Sequence, residues 1–160
     1  MAYNFRNQIE VIEKQIPLVY NRIYTPVAEV KLEVFVTPEP VSFEERKIGK
    51  RKVVKKNDYW AEAWECGWFH ITGRIPESAK GKKVVLYLDF HGEICIFDSE
   101  GNPVQALTSG SCLDVSRDYG CFGIRKREFL LNECAEGGEN IDLWADASCN
   151  YIAGVGEHNR

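Results

Sequence analysis

The sequence predicts a mainly β protein: an antiparallel β-sandwich or jelly roll preceded by a short N-terminal helix. Three observations carry this reading. At least six short segments show strand-like patterning, most of it period-two alternation of apolar and polar residues. Turn signals separate them roughly every 8–12 residues, the spacing of sandwiches. No helical pattern falls between the strands, which argues against a parallel sheet built of βαβ units.

The helix comes first. Phe5, Ile9, Ile12 and Ile16 recur at helical spacing, with Arg6, Glu10, Glu13 and Lys14 elsewhere on the wheel. Asn4 is a candidate cap. Pro17 is the predicted stop, since proline lacks an amide donor and clashes with the preceding turn.

The period then changes to two. Ala28, Val30, Leu32, Val34 and Val36 alternate with Glu29, Lys31, Glu33 and Phe35, which predicts a half-buried strand ended by Thr37-Pro38-Glu39-Pro40. A charged segment follows to about Asp58, with Lys50–Lys55 as a candidate short strand. A strand is expected to start near Glu65 and run through Trp68-Phe69-His70-Ile71-Thr72. Lys80-Gly81-Lys82 reads as a turn, and Val84 to Phe90 alternates as another strand. After the His91-Gly92 break come Glu93–Asp98, the tight turn Ser99–Asn102, and Val104–Leu107. Arg127–Leu131 and Ile141–Ala147 supply two more strands, with Gly137-Gly138 between them. The expected organisation is a helical segment over 1–24, a β-sandwich over 25–152 and a glycine-containing exit linker over 153–160.

Composition narrows the function classes. The 160 residues include 20 basic and 24 acidic side chains, for a net charge of −4. Eight Phe, seven Tyr and four Trp argue for a packed core rather than a disordered chain. The stretch Glu44–Asp58 holds seven basic residues against three acidic ones, so it carries +4 and the remainder is near −8. The run has no interleaved aromatics and the protein is acidic, so we read it as a solvated surface and expect no nucleic-acid partner. No apolar run approaches the roughly 20 residues of a membrane span. Met1–Glu10 has no apolar signal core, which leads to the expectation of a cytoplasmic, non-secreted protein.

The six cysteines stand at 66, 95, 112, 121, 134 and 149, with no pair at C-x₂₋₄-C spacing and only His70, His91 and His158 beside them. We therefore expect no zinc site, no other cofactor in this chain, and reduced, largely buried thiols. The sequence holds no G-x-S-x-G, H-E-x-x-H, phosphate loop or G-x-G-x-x-G. Asp89 and Glu93 flank His91-Gly92 and invite comparison with a glycosidase carboxylate pair; a polar turn explains them as well. Trp60, Trp64 and Trp68 are the most suggestive residues. They suit either stacking on the apolar face of a sugar ring or a core aromatic cluster. If Trp64 lies on the same strand as Trp68, the two share a face with His70. The residues alone identify no catalytic set.

The segment Trp64–Leu107 carries a resemblance. Trp68-Phe69 followed by Ile75-Pro76, Gly81-Lys82 before a strand, Gly92-Glu93 after it, and Gly101-x-Pro103-Val104-Gln105-x-Leu107 together resemble the N-terminal domain of α-mannosidases of glycoside hydrolase family 38, of the cytosolic and bacterial type. Ala147-Ser148-Cys149-Asn150 with Gly154 and Gly156, and the upstream Thr37-Pro38-Glu39, fit the same pattern. The resemblance implies a non-catalytic, galactose-binding-like jelly roll that precedes a catalytic domain. That absent domain is where the family's zinc and aspartate nucleophile belong. No catalytic or metal-binding residue can be carried over to this chain. The implied partner is the catalytic domain of the same polypeptide, with a homo-oligomer or a mannose-containing glycan as further expectations. For a sugar-binding alternative, the candidate contact residues are Trp60, Trp64, Tyr87, Glu93 and Gln105.

Overall fold

The computed structural model describes residues 5–90, 92–108 and 126–149. Helix α1 spans Phe5–Ile23. Eight strands follow: β1 Lys31–Thr37, β2 Lys50–Val54, β3 Cys66–Arg74, β4 Val84–Tyr87, β5 Glu93–Phe97, β6 Pro103–Thr108, β7 Glu128–Asn132 and β8 Asn140–Ser148. A 3-10 turn at Glu77–Ala79 separates β3 from β4.

All pairings are antiparallel. Six strands form one sheet in the order β2-β1-β3-β8-β5-β6, and β4 pairs with β7 in a second layer. Alternation sorts the large sheet into two faces. Val34, Phe69, Ile71, Ala145, Ile94, Ile96 and Leu107 face inward and pack with Leu86 and Phe129 of the second layer, and with Leu88, Phe90 and Trp60, as one core. A satellite core joins Ile75, Ala79, Val84, Ala135 and Ile141 at one end. This is the sandwich the turn spacing predicts.

The opposite face of the large sheet is also buried, so β1 is not a half-buried strand as the alternation suggested. Phe35, Trp68 and Trp144 form a third cluster, covered by Val41 and Phe43 from the β1–β2 connection and by Phe97 of β5. Phe35 stands on the side the alternation assigned to polar residues. Its aromatic neighbours come from β3 and β8, which local periodicity does not reveal. Arg46 closes the cover, with its guanidinium carbon 3.7 Å from the Phe43 ring centroid and 4.6 Å from that of Trp144.

Three further expectations are corrected. The helix does not stop at Pro17 but continues to Ile23. An interior proline costs about 3 kcal/mol by removing one hydrogen bond and crowding one turn; that cost is local, and the next six residues contain neither glycine nor a second proline. The Val84–Phe90 segment is a strand only to Tyr87, after a register shift between Val84 and Val85. Leu88 then makes one more ladder bond, its amide donating to the Arg127 carbonyl over 2.9 Å. Trp64 lies before β3 with a positive φ of 72°, so it shares no strand face with Trp68 and His70.

The turns follow their chemistry. The Asp98 carboxylate accepts the amides of Glu100 and Asn102, both at 2.9 Å, and Gly101 takes a φ of 92°. Gly137 and Gly138 both adopt positive φ between β7 and β8. The Asn4 cap, His91, His158, Cys112, Cys121, Asn150 and the Gly154/Gly156 segment lie outside the described residues.

Candidate functional site

The candidate residues do not converge on one place. Trp60 is core. Its ring lies 5.0 Å from Phe69, edge to face, and Gly67 makes room for it: a Cβ at position 67 would fall 2.7 Å from the Trp60 ring. Trp60 Nε1 has no hydrogen-bond partner among the described residues, so its contribution is packing. Trp68 is also structural, with its ring 5.5 Å from Phe43 and its Nε1 donating to the Val41 carbonyl over 3.1 Å.

Trp64 stands apart. The residue is 59% exposed. Its backbone is fixed where β8 ends: the Trp64 amide donates to the Cys149 carbonyl over 2.7 Å, and the Cys149 amide donates to the Glu65 carbonyl over 2.8 Å. A bulky residue at positive φ is a conformational outlier that surrounding contacts must hold. Glu93 is exposed at the start of β5, opposite Thr108 on the large sheet.

Tyr87 and Gln105 both meet Glu128, from the second layer and from the large sheet respectively. Tyr87, 52% exposed, ends β4 and faces Glu128 of β7. Gln105 on β6 donates from Nε2 to the Glu128 carbonyl over 2.7 Å, linking the two sheets. Sequence patterns did not identify the other members. Arg127 donates from Nη1 to Tyr87 Oη over 3.2 Å and lies 2.8 Å from Asp89 Oδ2. Tyr24, just beyond α1, lies 5.6 Å from the Tyr87 ring and hydrogen-bonds the Glu128 carboxylate. That hydrogen bond is the main reason the Tyr24 phenol is pushed up to about 12, with burial adding less. Arg127 and Asp89 are 38 positions apart, and only the β4–β7 register reveals the pair.

The outer face of the large sheet carries a second set of polar groups within its aromatic cluster. His70 stacks on Trp144 at 4.3 Å with planes 6° apart, and His70 Nε2 lies 2.8 Å from Asp142 Oδ1. Asp146 sits between Trp68 and Cys95 in register. Burial raises its carboxyl above the usual range, a backbone hydrogen bond from Ala147 opposing this. Burial, and secondly Asp146, raise the Cys95 thiol; burial and nearby carboxylates raise Cys149. Cys66, Cys95, Cys134 and Cys149 are free thiols, and raised thiols are poor nucleophiles near neutral pH.

Asp89 is held in an ion pair with Arg127, and Glu93 stands exposed at the start of β5 on the large sheet. Among the described residues, no three His, Cys, Asp or Glu side chains are placed to hold a metal, and no helix is long and apolar enough to cross a membrane.

Antiparallel sheets packed as two layers, with aromatic clusters on both faces of the larger one, define the class: a β-sandwich domain. Residues 25–160 match the family described as the jelly roll domain of alpha-mannosidase, and the chain belongs to that family. It is 26% identical over 128 residues, 80% of its length, to alpha-mannosidase G of Dictyostelium discoideum. The match spans 11% of that relative, so the chain corresponds to a small part of it.

Proposed function

We propose that this chain is a non-catalytic accessory domain of an α-mannoside-hydrolysing polypeptide of the family 38 type. In this reading it packs against the catalytic part of the same polypeptide and helps form its active-site rim or its assembly. The observation that carries the reading is the use of the aromatic residues. Trp60, Trp68 and Trp144 lie in hydrophobic clusters, which leaves little of the tryptophan surface that a sugar-binding platform needs. The Tyr24–Tyr87–Arg127–Asp89 group, with Tyr87 exposed at its surface and the ion pair partly buried beneath it, offers phenols and charges suited to a polar interdomain contact. Zinc and the nucleophile belong to the catalytic part, and the free thiols suit a reducing, cytoplasmic setting.

The test is an α-mannoside hydrolysis assay on this chain alone, and on the longer polypeptide with and without residues 25–149. We expect no turnover by the chain alone, and loss of activity or of soluble protein on deletion. Hydrolysis by the chain alone, or an undiminished deletion variant, would overturn the proposal.

An independent carbohydrate-binding module is the second reading, favoured by the exposure of Trp64. It requires that Trp64→Ala or Tyr87→Ala abolish glycan affinity while the fold remains intact.

A further inference from the structure

We infer that Trp64 is the anchor on which the apolar segment 151–155 of the same chain docks, fixing the path by which the chain leaves the sandwich. β3 and β8 pair regularly as far as Cys66 opposite Ser148. One step further, Cys149 faces two residues at once. The Trp64 amide donates to the Cys149 carbonyl over 2.7 Å, and the Cys149 amide donates to the Glu65 carbonyl over 2.8 Å. Two residues opposite one, the first at a φ of 72°, make a β-bulge of the G1 kind. Glycine is the residue that this first position favours, because a Cβ is crowded in the left-handed conformation.

In this chain the position holds a tryptophan. Bulky residues in strained backbone conformations concentrate where the strain serves a function. Core packing is not that function. Trp60, Trp68 and Trp144 lie in the hydrophobic clusters of the sandwich, whereas Trp64 is exposed and lies outside all three. A bulge re-aims the side chain it carries. This one sets an indole beside the end of β8, where the chain leaves the sheet.

Connectivity and sequence identify what meets the indole. Directly after Cys149 and Asn150 come Tyr151, Ile152, Ala153, Gly154 and Val155, apolar but for the glycine, and then the polar Glu157, His158, Asn159 and Arg160. Tyr151 is two residues past Cys149, so their Cα atoms are at most about 7 Å apart. A segment tethered that closely meets Trp64 at high effective concentration. A second molecule or a free sugar would also lose translational and rotational freedom on binding there. The family match agrees with a chain segment as the occupant. It runs through residue 160, well past the end of β8 at Ser148, so 151–155 belong to the matched domain. Docked on Trp64, the segment sets the direction in which a catalytic part would follow; that consequence alone rests on the function proposed above.

Nuclear Overhauser spectroscopy on the isotope-labelled 160-residue chain tests this. We expect cross-peaks from the Trp64 indole to the side chains of Tyr151 or Ile152. Trp64→Gly removes the indole and keeps the bulge, because glycine suits its backbone. It should leave the indole signals of Trp60, Trp68 and Trp144 in place and speed chymotryptic cleavage after Tyr151 several-fold. Tyr151→Ser with Ile152→Ser changes only residues beyond β8 and should shift the Trp64 indole signal alone among the four tryptophans. Absence of the cross-peaks would overturn the proposal, as would a Trp64→Gly chain cut at the wild-type rate or a Trp64 signal unmoved by the serine variant. All three readouts concern this chain by itself, so they can fail while the hydrolysis test succeeds, and the reverse.

Discussion

The Trp60 ring lies on the backbone of Gly67, so close that a Cβ there would stand 2.7 Å from the ring and 2.8 Å from Val34 Cγ2. The tryptophan is therefore built into the sandwich and cannot turn outward to meet a ligand. Trp60→Ala should cost about 3–5 kcal/mol, the range for truncating a large buried aromatic. Gly67→Ala should cost about 1–3 kcal/mol through overpacking. Urea unfolding of both variants measures these costs. A Trp60→Ala protein as stable as the wild type would remove Trp60 from the core.

The third cluster makes a parallel case. Trp144 contacts Phe35, Phe43, His70 and Arg46 across four segments of the chain. Trp144→Ala should cost about 3–5 kcal/mol, and His70→Ala much less, because His70 is only partly buried and its partner Asp142 is exposed. Paired denaturation curves should show that order.

These two clusters mark what the sequence reveals and what it does not. Strand patterning locates β3, β5, β6, β7 and β8 to within two or three residues, and the turn residues at 99–102 and 137–138 are legible from composition. Phe35 misleads because its neighbours Trp68 and Trp144 come from other strands, so a face that reads as mixed becomes buried only when the sheet assembles. Pro17 misleads because its cost is local, and Trp64 because its left-handed backbone is held by Cys149, 85 residues away. In the candidate site, Tyr87 and Gln105 are visible as exposed-type residues on strands. Arg127 and Tyr24 are not, because strand register and the path of the chain after α1 bring them to Tyr87.

Arg127 should be needed to hold the edge of the second layer. Both its side chain and that of Asp89 are mostly buried, so Arg127→Met leaves a half-buried carboxylate without its cation. The expected loss is about 1–3 kcal/mol. Adding Asp89→Asn should recover part of it. A double variant no more stable than Arg127→Met would show that the pair is not coupled.

Asp146 gives a pH signature. Its carboxyl is raised in the folded state by burial, so the folded protein binds that proton more tightly than the unfolded chain. The penalty is absent below the ordinary carboxylate range, grows as pH rises through the raised value, and is complete above it. Asp146→Asn keeps the acceptor for Ala147 and should therefore melt higher than the wild type at pH 7. The difference should close as the solution is acidified below the usual aspartate value. A pH-independent difference would point to a change in packing instead.

If the aromatic residues of this jelly roll serve packing and interdomain contact, as proposed, mannosides should find no platform on its surface. The most direct measurement is a heteronuclear NMR titration of the isotope-labelled chain with methyl α-mannoside and an α-linked mannobiose. No saturable shifts are expected in the indole signals, Trp64 included, or at the Tyr87 amide. Saturable shifts confined to Trp64 or Tyr87 and lost in the alanine variants would contradict it and make the domain a carbohydrate-binding module.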